Sequence, residues 1–246
     1  MRSFQKGTPP VDVREEAKSW RQEHEQSPAL LDDTRHVRSR FNQLDKRSSQ
    51  AALCDEQVGL CAFCLRRIRP KSPVLDPSGT RLAHVVPLES DRYVIFDWTN
   101  LVGACDGGSG TARHCDALQG SRMLYINPAL IRSLDQHIYY NTRGQLFYDG
   151  PPLYSISPSP SCSGVLRSRD EIQAEFDDVL GLNIELLKKN RAVIIDVARE
   201  RMQRIGWSRA NVLREIQHWS AIEREGHKPY FCVAVSYLER KLPAQP

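Results

Sequence analysis

No apolar run in this 246-residue sequence approaches the roughly 18–20 residues that a bilayer-spanning helix requires. The first twenty residues, MRSFQKGTPPVDVREEAKSW, lack the continuous apolar core of a secretory signal. Both absences lead to the expectation of a cytoplasmic protein kept in a reducing compartment. No internal repeat is visible, so a solenoid or propeller is not indicated. A strong charge of either sign is missing too: the net charge is +4, with 34 basic residues and a pI near 8.7. That balance is compatible with a polyanionic partner without identifying one. At 40% apolar and 26% charged residues, the composition is that of a folded chain with a full core rather than a disordered one.

The chain reads as four segments. Residues 1–58 are polar and helix-prone, with Leu30, Leu31, Val37, Phe41 and Leu44 spaced for one or two amphipathic helices. Residues 59–130 are rich in Gly, Pro, Asp and Cys. Their short apolar runs, Leu82–Val86, Tyr93–Phe96 and Met123–Ile126, read as strands between turns. Within 131–170, LDQHIYYNTRGQLFYD predicts a hairpin turning at Arg143-Gly144, and PPLYSISPSPSCSG predicts an exposed Pro/Ser loop. Residues 171–246 are helical, predicting one helix from Glu171 to Ile205, another over 208–224 and a last over 230–241. Lys188, Lys189, Arg191, Arg199, Arg201 and Arg204 are expected on the polar side of the first of these. The fold class is α+β: a small metal-stapled module of strands and a helix, embedded in mainly helical N- and C-terminal segments.

In a reducing compartment, cysteines serve as metal ligands or buried thiols rather than disulfides. Of the seven cysteines, Cys61 and Cys64 form a CxxC on a tight turn, the arrangement that directs two thiolates at one Zn²⁺. The following LRRIRPKSP is basic and broken by proline, which suits a zinc knuckle better than the helix that a redox CxxC opens. Cys105 and Cys115 are the nearest candidates to complete a tetrahedron, since the glycine-rich loop between them can bring both sulfurs together. His114 is the substitute should Cys115 point away. Cys54, Cys162 and Cys232 are left as bystanders. Between the pairs, His84 sits in a β-branched stretch before Pro87, and Asn100 follows Asp97-Trp98.

The order CAFC, AHVVP, DWTNL, Cys105, the HC at 114–115 and QGSRMLYINPAL resembles the HNH endonuclease superfamily in its zinc-stapled form. It is most similar to the bacterial anti-phage HNH proteins of the Septu-type and retron-associated systems. With VLGLN at 179–183 and the basic helix after it, the resemblance covers most of residues 53–205. It implies a treble-clef-like ββα-metal module stapled by structural zinc on Cys61, Cys64, Cys105 and Cys115. It implies that His84 is the general base and Asn100 the residue holding its imidazole or loop, with one catalytic Mg²⁺ or Mn²⁺ at the phosphate. It also implies cleavage of DNA, or of RNA, in a prokaryotic defence system. The partners implied are an SMC-like ATPase and, in retrons, a reverse transcriptase with its RNA–DNA product.

Two departures bear on activity. The residue before the histidine is a metal ligand in the family, and here it is Ala83. The family's basic residues after the last cysteine are Leu118 and Gln119 here. Asp116, Gln119 and Asp106 are the oxygen donors left for a catalytic cation. Three explanations stay open: a weakened or inactive member, a ligand from elsewhere in the chain, or a substitution introduced at position 83. Arg66, Arg67, Arg69 and Lys71 form a basic cluster after the knuckle that can contact phosphates, or can simply be a solvated charged loop. A zinc-dependent nucleic-acid or partner-binding module and a thiol redox protein are the competing readings.

Overall fold

The protein is described by a computed structural model that covers residues 1–70, 79–224 and 226–242. Three helices open the chain: α1 (Val11–Gln26), α2 (Thr34–Gln43) and α3 (Lys46–Glu56). The sequence predicts one or two. Three form because Asp33 and Asp45 interrupt the run, each accepting a hydrogen bond from the backbone N–H two residues on and so starting a new helix. Trp20 and Val37 pack with Ile95 and Phe96 in one buried cluster. The Trp20 indole donates to the Arg92 carbonyl (3.1 Å), and the Arg92 guanidinium donates to Leu31 and Thr34. The first two helices are thereby fastened to the loop at 85–100.

That loop joins β1 (Arg81–His84) to its antiparallel partner β2 (Leu101–Ala104), in a register that sets Ala83 opposite Val102 and His84 opposite Leu101. A single-turn helix, α4 (Asp116–Gln119), packs on β1. Of the three runs expected as strands, only the first is one. Residues Arg92–Val94 form a 3₁₀ turn capped by Asp91. Residues 123–126 pair with no strand, because the N–H groups of Tyr125 and Ile126 donate instead to the carboxylate of Glu175 (3.0 and 2.8 Å).

The hairpin expected at 134–149 is present as β3 (Ile138–Tyr140) and β4 (Leu146–Tyr148), with Tyr139 stacked on Phe147 at 5.0 Å. Gly144 in its turn has φ +74°, and a Cβ there would lie 2.0 Å from the Lys188 carbonyl, so only glycine fits. The Pro/Ser stretch is bracketed by β5 (Leu153–Tyr154) and β6 (Leu166–Arg167). Most of the stretch is exposed, as expected, but Ser155, Ser159 and Cys162 are buried, the two hydroxyls finding partners in the Cys162 carbonyl and the Asp91 carboxylate.

The helix expected over 171–205 is two helices. α5 (Arg169–Ala174), closed by a Ser168–Glu171 capping box, runs into a π turn at Glu175–Val179. Gly181 then takes φ +60° with its Cα against the Leu118 side chain, and α6 (Glu185–Ile205) begins beyond it. Arg191, expected on the polar side, is buried. Its guanidinium donates to the Leu182 and Leu187 carbonyls and lies 5.6 Å from the Tyr140 ring. α7 (Arg209–Ser220) is shorter than predicted and gives way to the small hairpin β7 (Ile222–Glu223) and β8 (Gly226–His227). α8 (Phe231–Glu239) closes the fold. One hydrophobic cluster runs from Cys61 and Phe63 through Ile138 and Leu146 to Phe176, Ile195, Met202 and Leu238. The cysteine-bearing segment therefore shares its core with α5, α6, α7 and α8. Among the described residues, no helix is long and apolar enough to cross a membrane.

Glu175 is the carboxylate on which the 123–126 loop hangs. Burial pushes its pKa up to about 7, and the Tyr125 and Ile126 N–H groups pull the other way without prevailing. An unfolded glutamate ionises near 4.5. Folding stability is therefore expected to fall as pH rises from about 4.5 to about 7, and to level off above that. Glu175→Gln removes the titration while keeping one acceptor. Its denaturant midpoint should lose that slope, and a wild-type slope retained in the variant would contradict the assignment.

Candidate functional site

The four cysteines expected to gather do so. Cys61 and Cys64 lie on the turn closed by the Leu60–Arg67 bridge, where the Cys61 N–H donates to the Arg66 carbonyl (2.8 Å) and the Leu65 N–H to the Cys61 carbonyl (3.2 Å). Leu65 takes φ +67°, a conformation costly for a leucine, and its burial in the core offsets the cost. Cys105 follows the end of β2, and the Ala62 N–H donates to the Gly103 carbonyl (3.0 Å), stitching the knuckle to that strand. Cys115, at φ +53°, leads into α4, its N–H held by the Leu180 carbonyl (2.8 Å).

The four sulfurs lie within 4.8 Å of one another and all four residues are buried. Cys61 Sγ is 3.8 Å from Cys115 Sγ, and Cys64 Sγ is 3.6 Å from Cys105 Sγ. A tetrahedral zinc with Zn–S bonds of about 2.3 Å separates its sulfurs by about 3.8 Å. A disulfide holds them at about 2.05 Å. Both cross-site pairs match the spacing that a tetrahedral metal sets and are far longer than a disulfide. Burial raises the pKa of Cys64 and Cys115, while the three neighbouring thiols, hydrogen-bonding toward Cys105, hold that one far down. A divalent ion that displaces protons from buried thiols suits such a cluster.

His114 does not substitute for Cys115. Its Nε2 is 3.6 Å from Cys105 Sγ and its Nδ1 is 2.9 Å from the Ala112 carbonyl, so it braces a ligand from outside the four. Burial pulls its pKa down, but the bonds to Cys105 and Ala112 outweigh burial and leave it raised. Sequence reasoning missed Gln57 altogether. At the end of α3 it donates through Nε2 to the carbonyls of Leu60 and Gly103 (2.8 Å each) and accepts the Gly103 N–H through Oε1 (2.6 Å). It is buried, and it locks the knuckle to β2. Gly103 permits this approach, since a Cβ there would sit 3.0–3.2 Å from Ile68, Thr80 and Gln57.

On β1, His84 is half-buried and faces α2, its ring 4.6 Å from that of Phe41. Its Nε2 is 3.0 Å from the Ile95 carbonyl, which can only accept, so the proton sits on Nε2. Among the described residues no group bonds its Nδ1. Burial holds the His84 pKa down to about 4, against the Ile95 carbonyl, which raises it. Asn100 is fully buried and holds the loop rather than the imidazole. Its Oδ1 accepts from the Val86 N–H (2.7 Å), and its Nδ2 donates to the Val86 and Val94 carbonyls (3.1 Å each).

The positions named for a catalytic cation are placed differently. Ala83 faces the core with no exposed surface, in the same cluster as the four cysteines. Asp116 pairs with Arg81 (3.6 Å), and burial raises its pKa despite that partner. Gln119 is buried. It spends its amide nitrogen on the His84 carbonyl (2.9 Å) and the carbonyls of Val85 and Arg122, leaving Oε1 buried without a partner. Asp106 pairs with Arg66 (3.2 Å). Among the described residues, the four cysteines are the one group of metal-ligating side chains close enough to share an ion. The residues beside His84 therefore do not by themselves fit a second cation. In the basic cluster, Arg66 and Arg67 are half-buried, Arg69 is exposed, and Lys71 lies outside the described residues. Comparison with known proteins finds no family model that matches this chain and no matching curated protein.

A structural zinc contributes on the order of 10–16 kcal/mol in small metal domains at neutral pH. That is as large as the whole net stability of a typical domain, about 5–15 kcal/mol. Cys61→Ser or Cys105→Ser is expected to lower bound zinc from about one ion per chain to near none, with a large fall in Tm. Cys54→Ser and Cys232→Ser should keep the metal. Metal analysis and thermal melts on the four variants check this, and zinc retained in the first two would contradict the ligand set.

Proposed function

We propose that the chain is a zinc-stapled phosphodiester hydrolase of the HNH type, acting on DNA or RNA, with His84 as its general base. The observation that carries this reading is the tautomer of His84. Its Nε2–H is committed to the Ile95 carbonyl, leaving Nδ1 as the lone pair. A base must be unprotonated at working pH, and burial keeps this imidazole neutral while making it a weaker base than one titrating near 7. Nδ1 takes a proton from water while the water oxygen attacks phosphorus and the bond to the leaving oxygen breaks. Asn100 fixes the Val86–Val94 loop and with it the carbonyl that orients the ring. The four-cysteine centre anchors the other end of the same hairpin through Cys105.

Mg²⁺ or Mn²⁺, bound with substrate, would neutralise charge on the phosphate. The defence setting, the SMC-like ATPase and the retron reverse transcriptase belong to this proposal through the motif resemblance alone. A second reading, a zinc-dependent nucleic-acid or partner-binding module without hydrolysis, is favoured by one observation: Ala83, where the family carries a ligand, is packed into the core.

Cleavage of plasmid DNA and of RNA, assayed with added Mg²⁺ or Mn²⁺, is expected to fall roughly 10²–10⁴-fold in His84→Ala, with zinc content unchanged. The acid limb of the pH–rate profile should lie near pH 4 rather than near 6.5. If wild type cuts no substrate while still binding nucleic acid in fluorescence anisotropy, the binding-module reading replaces this one.

A further inference from the structure

The solvent side of α6 carries a row of apolar residues among its charged ones. Leu186, Val193 and Val197 follow one another at seven and four residues, which aligns them in a row along the helix. They are 42%, 59% and 46% exposed. The row runs opposite the buried face formed by Leu187, Ile195, Ala198 and Met202. Lys189 and Glu200 flank it. They are eleven residues, about three helical turns, apart and so lie on the same side of the row. Other charges of this helix are satisfied within the chain: Lys188 by Glu185, Asp196 by Arg199 (2.8 Å) and Arg201 by Glu215 (2.6 Å). Lys189 and Glu200 form no ion pair among the described residues.

This pattern is complementary to itself when reversed. An antiparallel copy of α6, placed about a twofold axis level with Ile195, sets Val193 of each helix against Val197 of the other. It sets Leu186 against the aliphatic stem of Arg204. It sets Lys189 of each helix beside Glu200 of the other, so the pairing is made twice. We propose that α6 is the contact of a twofold-symmetric dimer of this chain, closed by the Val193–Val197 row and by two Lys189–Glu200 ion pairs. Such an interface is isologous, with the same patch serving both partners. The helix spans about 30 Å. A single helix pair buries less than the roughly 1,200 Å² of a stable complex, so the dimer is weak and concentration-dependent. The inference does not rest on the hydrolase reading.

Sedimentation equilibrium of the zinc-loaded protein, from low to high micromolar, tests it directly. The wild-type mass is expected to rise toward that of two chains. Val193→Asp, on the solvent face, should abolish the rise with zinc content and circular dichroism unchanged. Lys189→Glu and Glu200→Lys should each weaken the dimer about tenfold or more, and the double variant should restore it to within about threefold of wild type. Three outcomes would overturn the proposal: a monomer at every concentration, a dimer indifferent to Val193→Asp, or a double variant no tighter than the singles.

Discussion

Four thiol-bearing side chains from three separate stretches of chain meet inside the core, with their sulfurs within 4.8 Å. Burying thiolates next to one another is unfavourable unless a cation compensates them. Much of the local backbone accepts strain to bring them together. Leu65 and Cys115 both adopt positive φ, and each has its N–H tied to a carbonyl that fixes the turn. Gln57 and Gly103 weld the knuckle to β2, while the Leu180 carbonyl holds the start of α4. A metal held by these four cysteines would supply what a hairpin and a single-turn helix cannot by packing alone.

The rest of the site hangs from that anchor. β2 is fixed at its far end by Cys105 and pairs with β1, which carries His84. At the near end, Asn100 ties together the loop whose Ile95 carbonyl orients the imidazole. α1 and α2 brace the same loop from outside through Trp20 and Arg92. The strand also separates roles by side. His84 faces α2 and Phe41, while Ala83 and Val85 face the sulfur-lined core. A larger, metal-ligating side chain at position 83 would thus enter a filled interior.

Several of these features were legible before the structure. The gathering of the CxxC with the two later cysteines was legible from their spacing and the glycine-rich loop between Cys105 and Cys115, and the α+β class followed from the alternation of periodic and turn-rich segments. The hairpin at β3–β4 was announced by Arg143-Gly144. What stayed hidden depended on tertiary partners. Residues 123–126 look like a strand until Glu175, about fifty positions later, claims their N–H groups. The helix over 171–205 is periodic throughout, and Gly181 breaks it for a reason visible only in its contact with Leu118. Gln57 reads as an ordinary helix-end residue because nothing local shows that its amide faces Gly103. The side of Ala83 could have been read from the alternation Ala83, Val85 against His84, a period-two signal that the motif overshadowed.

Zinc K-edge X-ray absorption on the purified protein tests the central claim most directly, because it reports what surrounds the metal. Four sulfur neighbours at about 2.3 Å, with no nitrogen in the first shell, are the predicted result. A shell containing nitrogen or oxygen, or cysteines at 61 and 64 found as a disulfide with no zinc bound, would contradict the account.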